Sequence, residues 1–203
     1  MQGSDFFPVE KGWSGTRLTA MLSFLRASVL GVVIVFYAGC HQAAPPALPP
    51  SSTSKAAPQQ TVNSLGYLNV AQTKLTTLRL FLGPKEIVAE LAVQPVEIQT
   101  GMMHRTEMAE AEGMLFIFRG PHRASFYMRN TKIPLSGAYI DPEGVILEVR
   151  DMKPLDETPI EAATDRVQFV LEMNQGWFVR NGVNPGTVVT TERGTLRETF
   201  FRR

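Results

Sequence analysis

The stretch that decides the fold is residues 112–144, EGMLFIFRGPHRASFYMRNTKIPLSGAYIDPEG. Apolar runs about as long as a typical strand alternate in it with turn residues, such as Gly120-Pro121 and residues 141–144. No single run can bury its apolar side chains alone, so the stretch must pack against itself and against the flanking chain. We expect it to form the centre of a mainly β domain.

Alternating apolar residues predict further strands on both sides of this stretch. Residues 78–82 and 87–93 alternate across a Gly83-Pro84 turn, which indicates an antiparallel pair. The other alternating runs are residues 145–152, 166–173 and 187–191. About seven short strands, with one or two short helices, predict a compact antiparallel β-barrel or sandwich.

Three segments carry helix signals. Pro95 suits the first turn of a short helix, and Thr106 can cap a second helix in residues 107–112. Residues 175–181 can form one or two helical turns that end at Gly182, because glycine readily adopts the left-handed conformation. With only small helices between the strands, the predicted class remains mainly β.

The composition suits one globular domain with some chain left over. Of the 203 residues, 44% are hydrophobic and 19% are charged, which favours a folded core over a disordered chain. The formal net charge is only +1, so nucleic acid is not an expected partner. The single cysteine, Cys40, excludes a disulfide framework within one chain.

An export signal precedes the domain. Residues 27–40, ASVLGVVIVFYAGC, form an apolar run of fourteen residues, which is short for a bilayer span of roughly 20 and typical of a signal peptide. The run resembles a bacterial lipoprotein signal, which implies that Cys40 is lipidated and anchors the protein in a membrane. An ordinary cleaved signal peptide and an uncleaved anchor are the alternatives, since Tyr37 stands where leucine is usual.

The sequence around this signal predicts an exported protein that faces the periplasm or the cell exterior. Met21 is a better start for a signal peptide than Met1, so residues 1–20 are interpreted as an upstream extension. His41 follows the cysteine, which in a Gram-negative cell is consistent with sorting to the outer membrane.

Composition divides the chain into four parts. Residues 1–40 are the extension and signal, and residues 41–64 are a linker rich in proline, alanine and serine, which cannot bury enough apolar surface to order itself. Residues 65–195 are the predicted β-domain, and residues 196–203 are a polar tail.

Six motifs, in order, resemble the bacterial and archaeal family called domain of unknown function 192. They are GMMHR (101–105), EGMLFIF (112–118), FYMRNTKIPL (126–135), DPEGVI (141–146), VLEMNQGW (170–177) and NGVNPG (181–186). The resemblance covers about residues 85–190 and implies a compact mainly-β domain, often exported, without an agreed activity. Ser136 and Thr187 stand where the family usually has aspartate.

Four polar residues at these motif positions form the candidate site: His104, Arg105, Arg129 and Asn130. Arginine presents a planar fork that suits carboxylate or phosphate, so one interpretation is a groove for an anion or a polymer. The other is structural, with Arg105 paired to a glutamate at 112 or 172 and Asn130 capping a turn. No catalytic residue is assigned, because no nucleophile with an adjacent base is evident.

The sequence therefore predicts a cell-envelope lipoprotein with a membrane anchor. We expect a binding or accessory module for a small or glycan-like ligand, without a cofactor or a metal. An envelope enzyme of unassigned chemistry is the alternative. A less favoured one is a copper(I) site, with soft ligands that would come from Met102, Met103, Met108, Met114, Met128 and His104.

Overall fold

The computed structural model describes residues 60–202, which form ten strands and three short helices. The strands are β1 (Thr77–Leu82), β2 (Lys85–Ala92), β3 (Glu112–His122), β4 (Ser125–Phe126), β5 (Leu135–Ile140), β6 (Ile146–Met152), β7 (Ile160–Glu161), β8 (Val167–Asn174), β9 (Val189–Thr191) and β10 (Gly194–Thr195). The helices are α1 (Pro95–Thr100), α2 (Trp177–Arg180) and α3 (Leu196–Phe201). Cys40, the signal and most of the linker lie outside the described residues.

Eight strands form one sheet in the order β10-β9-β1-β2-β3-β8-β5-β6, and β4 pairs with β7 in a small second sheet. The predicted mainly-β class is confirmed, but the large sheet is mixed, because β2 and β3 run parallel. The connection between these two strands passes through α1, and a parallel pair requires a crossover of this kind. Every other pair in the two sheets is antiparallel.

The large sheet curls without closing into a barrel. An isolated bridge joins Val145 to Val188, and the Ile146 amide donates a hydrogen bond to the Thr187 carbonyl at 2.9 Å. The chain therefore brings the start of β6 close to the residues before β9. Gly144, at φ 87°, permits this approach, since a Cβ there would lie 2.8 Å from the Val189 carbonyl oxygen.

The stretch of residues 112–144 supplies β3, β4 and β5, as predicted. β3 and β5 flank β8 on its two sides, so β8 lies inside the sheet. Gly120-Pro121 does not end β3. It lies instead where the register between β3 and β8 shifts, between Ile117 and His122, because a bulge accommodates the proline without a ladder hydrogen bond.

The predicted helix α1 is present, with Pro95 in its first turn and the Glu97 carboxylate accepting hydrogen bonds from two preceding backbone amides. The second predicted helix, in residues 107–112, is absent. Tertiary hydrogen bonds hold this segment in an irregular conformation. The Asn174 side chain donates to the Met108 carbonyl at 3.0 Å, and the Val88 amide donates to the Ala111 carbonyl at 2.9 Å.

The end of the chain also differs from the predicted polar tail, since residues 196–201 form α3. Thr195 and Glu198 make a capping box at its start, a signal that the sequence contains. Phe200 and Phe201 pack against Phe169 with ring centroids 6.1 and 5.9 Å apart. The third helix therefore adds to the core.

The buried side chains form two clusters. The first contains alternate residues of β1, β2, β3, β5 and β8 together with residues of α2 and α3. The second contains the other alternate residues of β3, β5 and β8, and is covered by α1, β4 and β7. Among residues 60–202, none of the helices has the length and apolar character that crossing a membrane would need.

Candidate functional site

A cavity of about 340 Å³ opens within the second cluster. Its walls come from the end of α1 and the loop after it, from β3, from β4 and the loop after it, and from β8. Gln99 and Ser125 are exposed lining residues and mark its mouth. Met102 and Met128 are buried lining residues, so the wall combines apolar side chains with polar ones.

Glu172 projects into this cavity from the middle of the sheet. It lies on β8 opposite Met114 of β3 and Gly137 of β5, and directly paired residues place their side chains on the same face. Val170, two residues earlier, belongs to the second cluster, which identifies that face. Glu172 is only 5% exposed.

Burial raises the pKa of the Glu172 carboxyl to about 8, and no charge or hydrogen bond from the described residues offsets that effect. The side chain is therefore mostly protonated at neutral pH. A protonated carboxyl can donate one hydrogen bond and accept others, whereas its ionised form attracts a cation. A buried polar group without a partner inside a cavity is a common feature of binding and catalytic sites.

Aromatic rings line the same cavity around Phe126. Its ring centroid lies 5.0 Å from that of Phe116 and 6.4 Å from that of Phe118, with interplanar angles of 83° and 80°. Tyr139 lies behind Phe126 at 6.1 Å, and its hydroxyl donates to the Ile160 carbonyl at 2.9 Å. Burial first, and then the nearby Glu172, raise the pKa of Tyr139 well above its usual range.

Two of the four predicted site residues, His104 and Asn130, meet each other beside the cavity. The His104 amide donates a hydrogen bond to the Asn130 carbonyl at 2.8 Å, and both residues have positive φ, 63° and 55°. The Asn130 side-chain amide points toward the Met103 sulfur at 3.9 Å. Nε2 of His104 is buried without a hydrogen-bond partner among residues 60–202.

Arg105 makes a bidentate ion pair with Glu90 of β2, at 2.6 and 2.8 Å. Arg105 therefore pairs with Glu90 and not with either of the expected partners, Glu112 and Glu172. The Leu75 amide donates a further hydrogen bond to Glu90 at 2.8 Å. Burial acts to raise the pKa of Glu90, but the hydrogen bonds from Arg105 and Leu75 outweigh it and hold the pKa below its usual range.

Arg129 lies at the surface and makes two hydrogen bonds to Glu157, at 2.6 and 2.9 Å. Its guanidinium also stacks over the Tyr127 ring, 5.1 Å from the centroid. Arg105 and Arg129 are thus each neutralised by a carboxylate, and they do not converge on one anion.

The two positions where the family usually has aspartate have different surroundings. Ser136 is fully buried, donates a hydrogen bond to Asp151 at 2.5 Å and accepts one from the Gly176 amide at 2.8 Å. A carboxylate from the paired strand β6 therefore lies beside Ser136. Thr187 accepts a hydrogen bond from the Asn184 amide at 3.3 Å, within a turn.

The methionines proposed as soft copper ligands do not share one environment. Met102, Met103 and Met128 line the cavity, while the sulfur of buried Met114 accepts a hydrogen bond from the Gln72 side chain at 4.0 Å. Residues 60–202 contain no group of three or more histidine, cysteine or carboxylate side chains placed to share a metal ion.

The comparisons with known proteins identify the family. The model of the family DUF192, described as Uncharacterized ACR, matches residues 79–191, more than half of the chain. The chain belongs to the domain of unknown function 192 family. The cavity and Glu172 lie within the matched region, so the candidate site belongs to the family domain. A comparison with curated proteins finds no match.

Two solved structures resemble this member of the domain of unknown function 192 family. One is a protein from Sinorhizobium meliloti 1021, proposed to be a transcription regulator, with 31% identity and a TM-score of 0.57; the match covers 60% of this chain and 98% of that one. The other is a protein of unknown function from Novosphingobium aromaticivorans DSM 12444, with 32% identity and a TM-score of 0.54, covering 70% and 98%. Both show that the described domain corresponds to nearly all of those chains.

Glu172 was missed as a site residue when the sequence was considered alone, where it entered only as a possible partner of Arg105. The alternation in VQFVLEMN concealed it, because Gln168, Glu172 and Asn174 share one face of the strand and together are typical of a solvent-exposed side. The structure buries β8 on both faces, and a strand in that position seldom contains an unpaired charge, which makes Glu172 a candidate site residue.

Proposed function

We propose that this protein is a small-ligand-binding module of the cell envelope, held at a membrane by lipidated Cys40, with its ligand site in the cavity around Glu172. The observation that carries the proposal is a carboxyl only 5% exposed, without a described partner, in a cavity of about 340 Å³. That volume lies in the range of small-molecule sites, which are typically apolar with a few polar groups.

The lining supports a small molecule over the other ligands considered. Phe116, Phe118 and Phe126 supply ring surface for an apolar or cationic group. Arg105 and Arg129, which would attract an anion, are bound to Glu90 and Glu157 outside this cavity. The envelope part of the proposal is supported by the sequence of residues 27–40 and by the linker composition.

Thermal denaturation of the full chain with a panel of small probes tests the binding site. The panel contains indole as a neutral aromatic, choline as a cation, N-acetylglucosamine as a sugar and acetate as an anion. A ligand that binds only the native state raises the melting temperature, and at 100 times its Kd it adds about 2.7 kcal/mol of stability. We expect at least one probe to do so.

Ser125→Trp provides the site control, because Ser125 is exposed at the mouth of the cavity and an indole there would obstruct it. Arg123→Trp is the matched variant, since Arg123 is exposed nearby and does not line the cavity. The ligand-induced shift should disappear in the first variant and persist in the second. A panel without any stabilising probe, or a shift that Ser125→Trp leaves intact, would contradict the proposed site.

A second candidate function is acid–base catalysis by Glu172. A carboxyl whose pKa burial raises to about 8 can both donate and accept a proton near neutral pH. The imidazole of His122 lines the same cavity. If a stabilising probe is chemically converted on incubation with the protein, and Glu172→Gln abolishes the conversion without abolishing binding, the enzyme alternative replaces the binding module.

A further inference from the structure

We infer that the cavity recognises a small organic ammonium ion, whose charge is held between the Glu172 carboxylate and the surrounding aromatic rings. This inference rests on the proposed function and names the ligand class of the same site. It follows from three observations. The lining contains a buried acid, aromatic rings line the same cavity, and two arginines on strands or loops of the same sheet are already paired with other glutamates.

The lining contains one buried acid and no lysine or arginine. Two arginines on strands or loops of the same sheet are each paired with a glutamate. Arg105 is paired with Glu90 at 2.6 Å, and Arg150 with Glu148 at 2.7 Å. An anion would find no lysine or arginine in the lining and would keep Glu172 protonated, whereas a cation would pair with the ionised carboxylate. Charge therefore selects against carboxylates and phosphates and in favour of an amine.

The rings are arranged as the walls of a cage. Phe116 and Phe118 are both nearly perpendicular to Phe126, so the face of the Phe126 ring is turned away from the faces of the other two. Tyr127 adds a fourth lining ring, one face of which is covered by the Arg129 guanidinium at 5.1 Å. Phe116 lies on β3 opposite Val170, two residues from the Met114–Glu172 pair, which places that ring diagonally beside the carboxyl. Ring faces combined with an anion suit substituted ammonium groups.

Binding of such a cation is coupled to a proton. Burial raises the pKa of free Glu172 to about 8, so the carboxyl is mostly neutral at pH 7. A bound cation favours the ionised form, and the carboxyl proton passes to solvent. The other titratable or charged groups that face Glu172 are Glu90 on β2, His122 on β3, Tyr127 after β4, Tyr139 on β5, and Glu148 and Arg150 on β6.

Choline and its uncharged carbon analogue 3,3-dimethylbutan-1-ol form the matched pair of probes, because they differ in charge and hardly in shape. Calorimetric titration of the full chain at pH 8.5 should show that choline binds at least about tenfold more tightly. Choline does not titrate, so its affinity should fall about tenfold for each pH unit below 8 as Glu172 takes up a proton. The affinity of the alcohol should not fall in this way.

Three variants test which residues cause the preference for choline and its dependence on pH. Glu172→Gln should abolish both the preference for choline and its pH dependence, while Glu112→Gln, the same change at a partly exposed site outside the cavity, should leave both intact. Phe126→Leu should weaken choline binding by about three- to thirtyfold and change the affinity of the alcohol much less. Phe126 is only partly buried, so this variant tests the cage even if Glu172→Gln fails to fold.

The failures of the two proposals are distinguishable. Equal affinity for choline and the alcohol overturns the ammonium assignment and retains the cavity as a ligand site. The ammonium assignment is overturned in the same way if indole or the sugar binds and choline does not. Choline affinity that is unchanged in both Glu172→Gln and Phe126→Leu also overturns it. If no probe binds at any pH, both this inference and the proposed function fail.

Discussion

At the scale of single residues, two buried glutamates on one face of the sheet differ in charge, since one is ionised and the other is neutral. Glu90 on β2 lies opposite Met114, which lies opposite Glu172 on β8, so the three form a row across neighbouring strands. The bidentate pair with Arg105 stabilises the ionised form of Glu90. Glu172 has no such partner among the described residues, so its carboxyl is mostly neutral at pH 7. The environment, and not the residue type, sets the charge.

This difference predicts how stability depends on pH. The pKa of Glu172 is about 8 in the folded protein and about 4.5 in the unfolded chain, so the folded state holds the extra proton between these values. Stability should therefore fall as the pH rises from about 5 to 8, by at most about 1.4 kcal/mol per pH unit, and level off above 8. Urea unfolding at pH 5.5, 6.5, 7.5 and 8.5 measures the slope.

Glu172→Gln is the control for that slope, because an amide cannot titrate, and the fall between pH 5 and 8 should vanish in it. The carboxyls with lowered pKa, Glu90, Asp156 and Glu198, act in another window, since their stabilising effect is lost only as the pH falls below about 4.5. A variant with the wild-type slope would show that Glu172 is not the titrating group.

The Arg105–Glu90 pair predicts a large loss of stability on truncation. Arg105→Ala leaves Glu90, whose side chain is 7% exposed, without its main partner, and should cost about 3 kcal/mol, or about 10 °C in melting temperature. Arg129→Ala is the matched variant, because it removes a surface pair whose glutamate side chain is 55% exposed. Its melting temperature should hardly change. Similar melts for the two variants would contradict the structural role of Arg105.

At the scale of elements, the close contact between β3 and β8 holds Glu172 in position. Gly113 of β3 lies where an added Cβ would be 2.7 Å from the Glu172 carbonyl oxygen. Neither strand can move away freely, because β2 lies beside β3 and β5 beside β8. The absence of a side chain at Gly113 is therefore required by strand spacing, and not by a special backbone angle.

Gly113→Ala should consequently destabilise the domain by about 1–3 kcal/mol, as expected for overpacking. Gly120→Ala on the same strand is the matched control, since an added Cβ there meets nothing within 4 Å. Urea unfolding of both variants measures the difference. If Gly120→Ala loses as much stability as Gly113→Ala, the cause is the loss of a strand glycine in general and the spacing argument fails.

At the scale of the whole molecule, the described domain is one part of a chain whose first 59 residues contain the predicted anchor. The domain itself begins with a short turn, in which the Leu68 amide donates to the Thr100 hydroxyl at 3.0 Å next to the cavity wall. Residues just after the linker are thus bound to the end of α1.

The anchor predicts where the protein is found in a cell. Cys40→Ser removes the only thiol that could be lipidated, so the variant should leave the membrane fraction and appear in the soluble exported fraction. Fractionation with immunodetection measures this, and Ser51→Ala, within the linker, serves as the control that should remain in the membrane fraction. A Cys40→Ser variant that stays in the membrane after a high-salt wash would exclude lipidation as the anchor.

The sequence by itself determined the class of the domain, most of its strands and the family, because these follow from local alternation, turn residues and motif order. Tertiary structure alone decided that β2 pairs with β3 in parallel and that residues 107–112 are irregular where a helix was predicted. It likewise decided that Arg105 pairs with Glu90. It also decided the site. Glu172 becomes an unpartnered acid in a cavity of the described domain only when β8 is placed inside the sheet, since burial and pairing depend on neighbours that are distant along the chain.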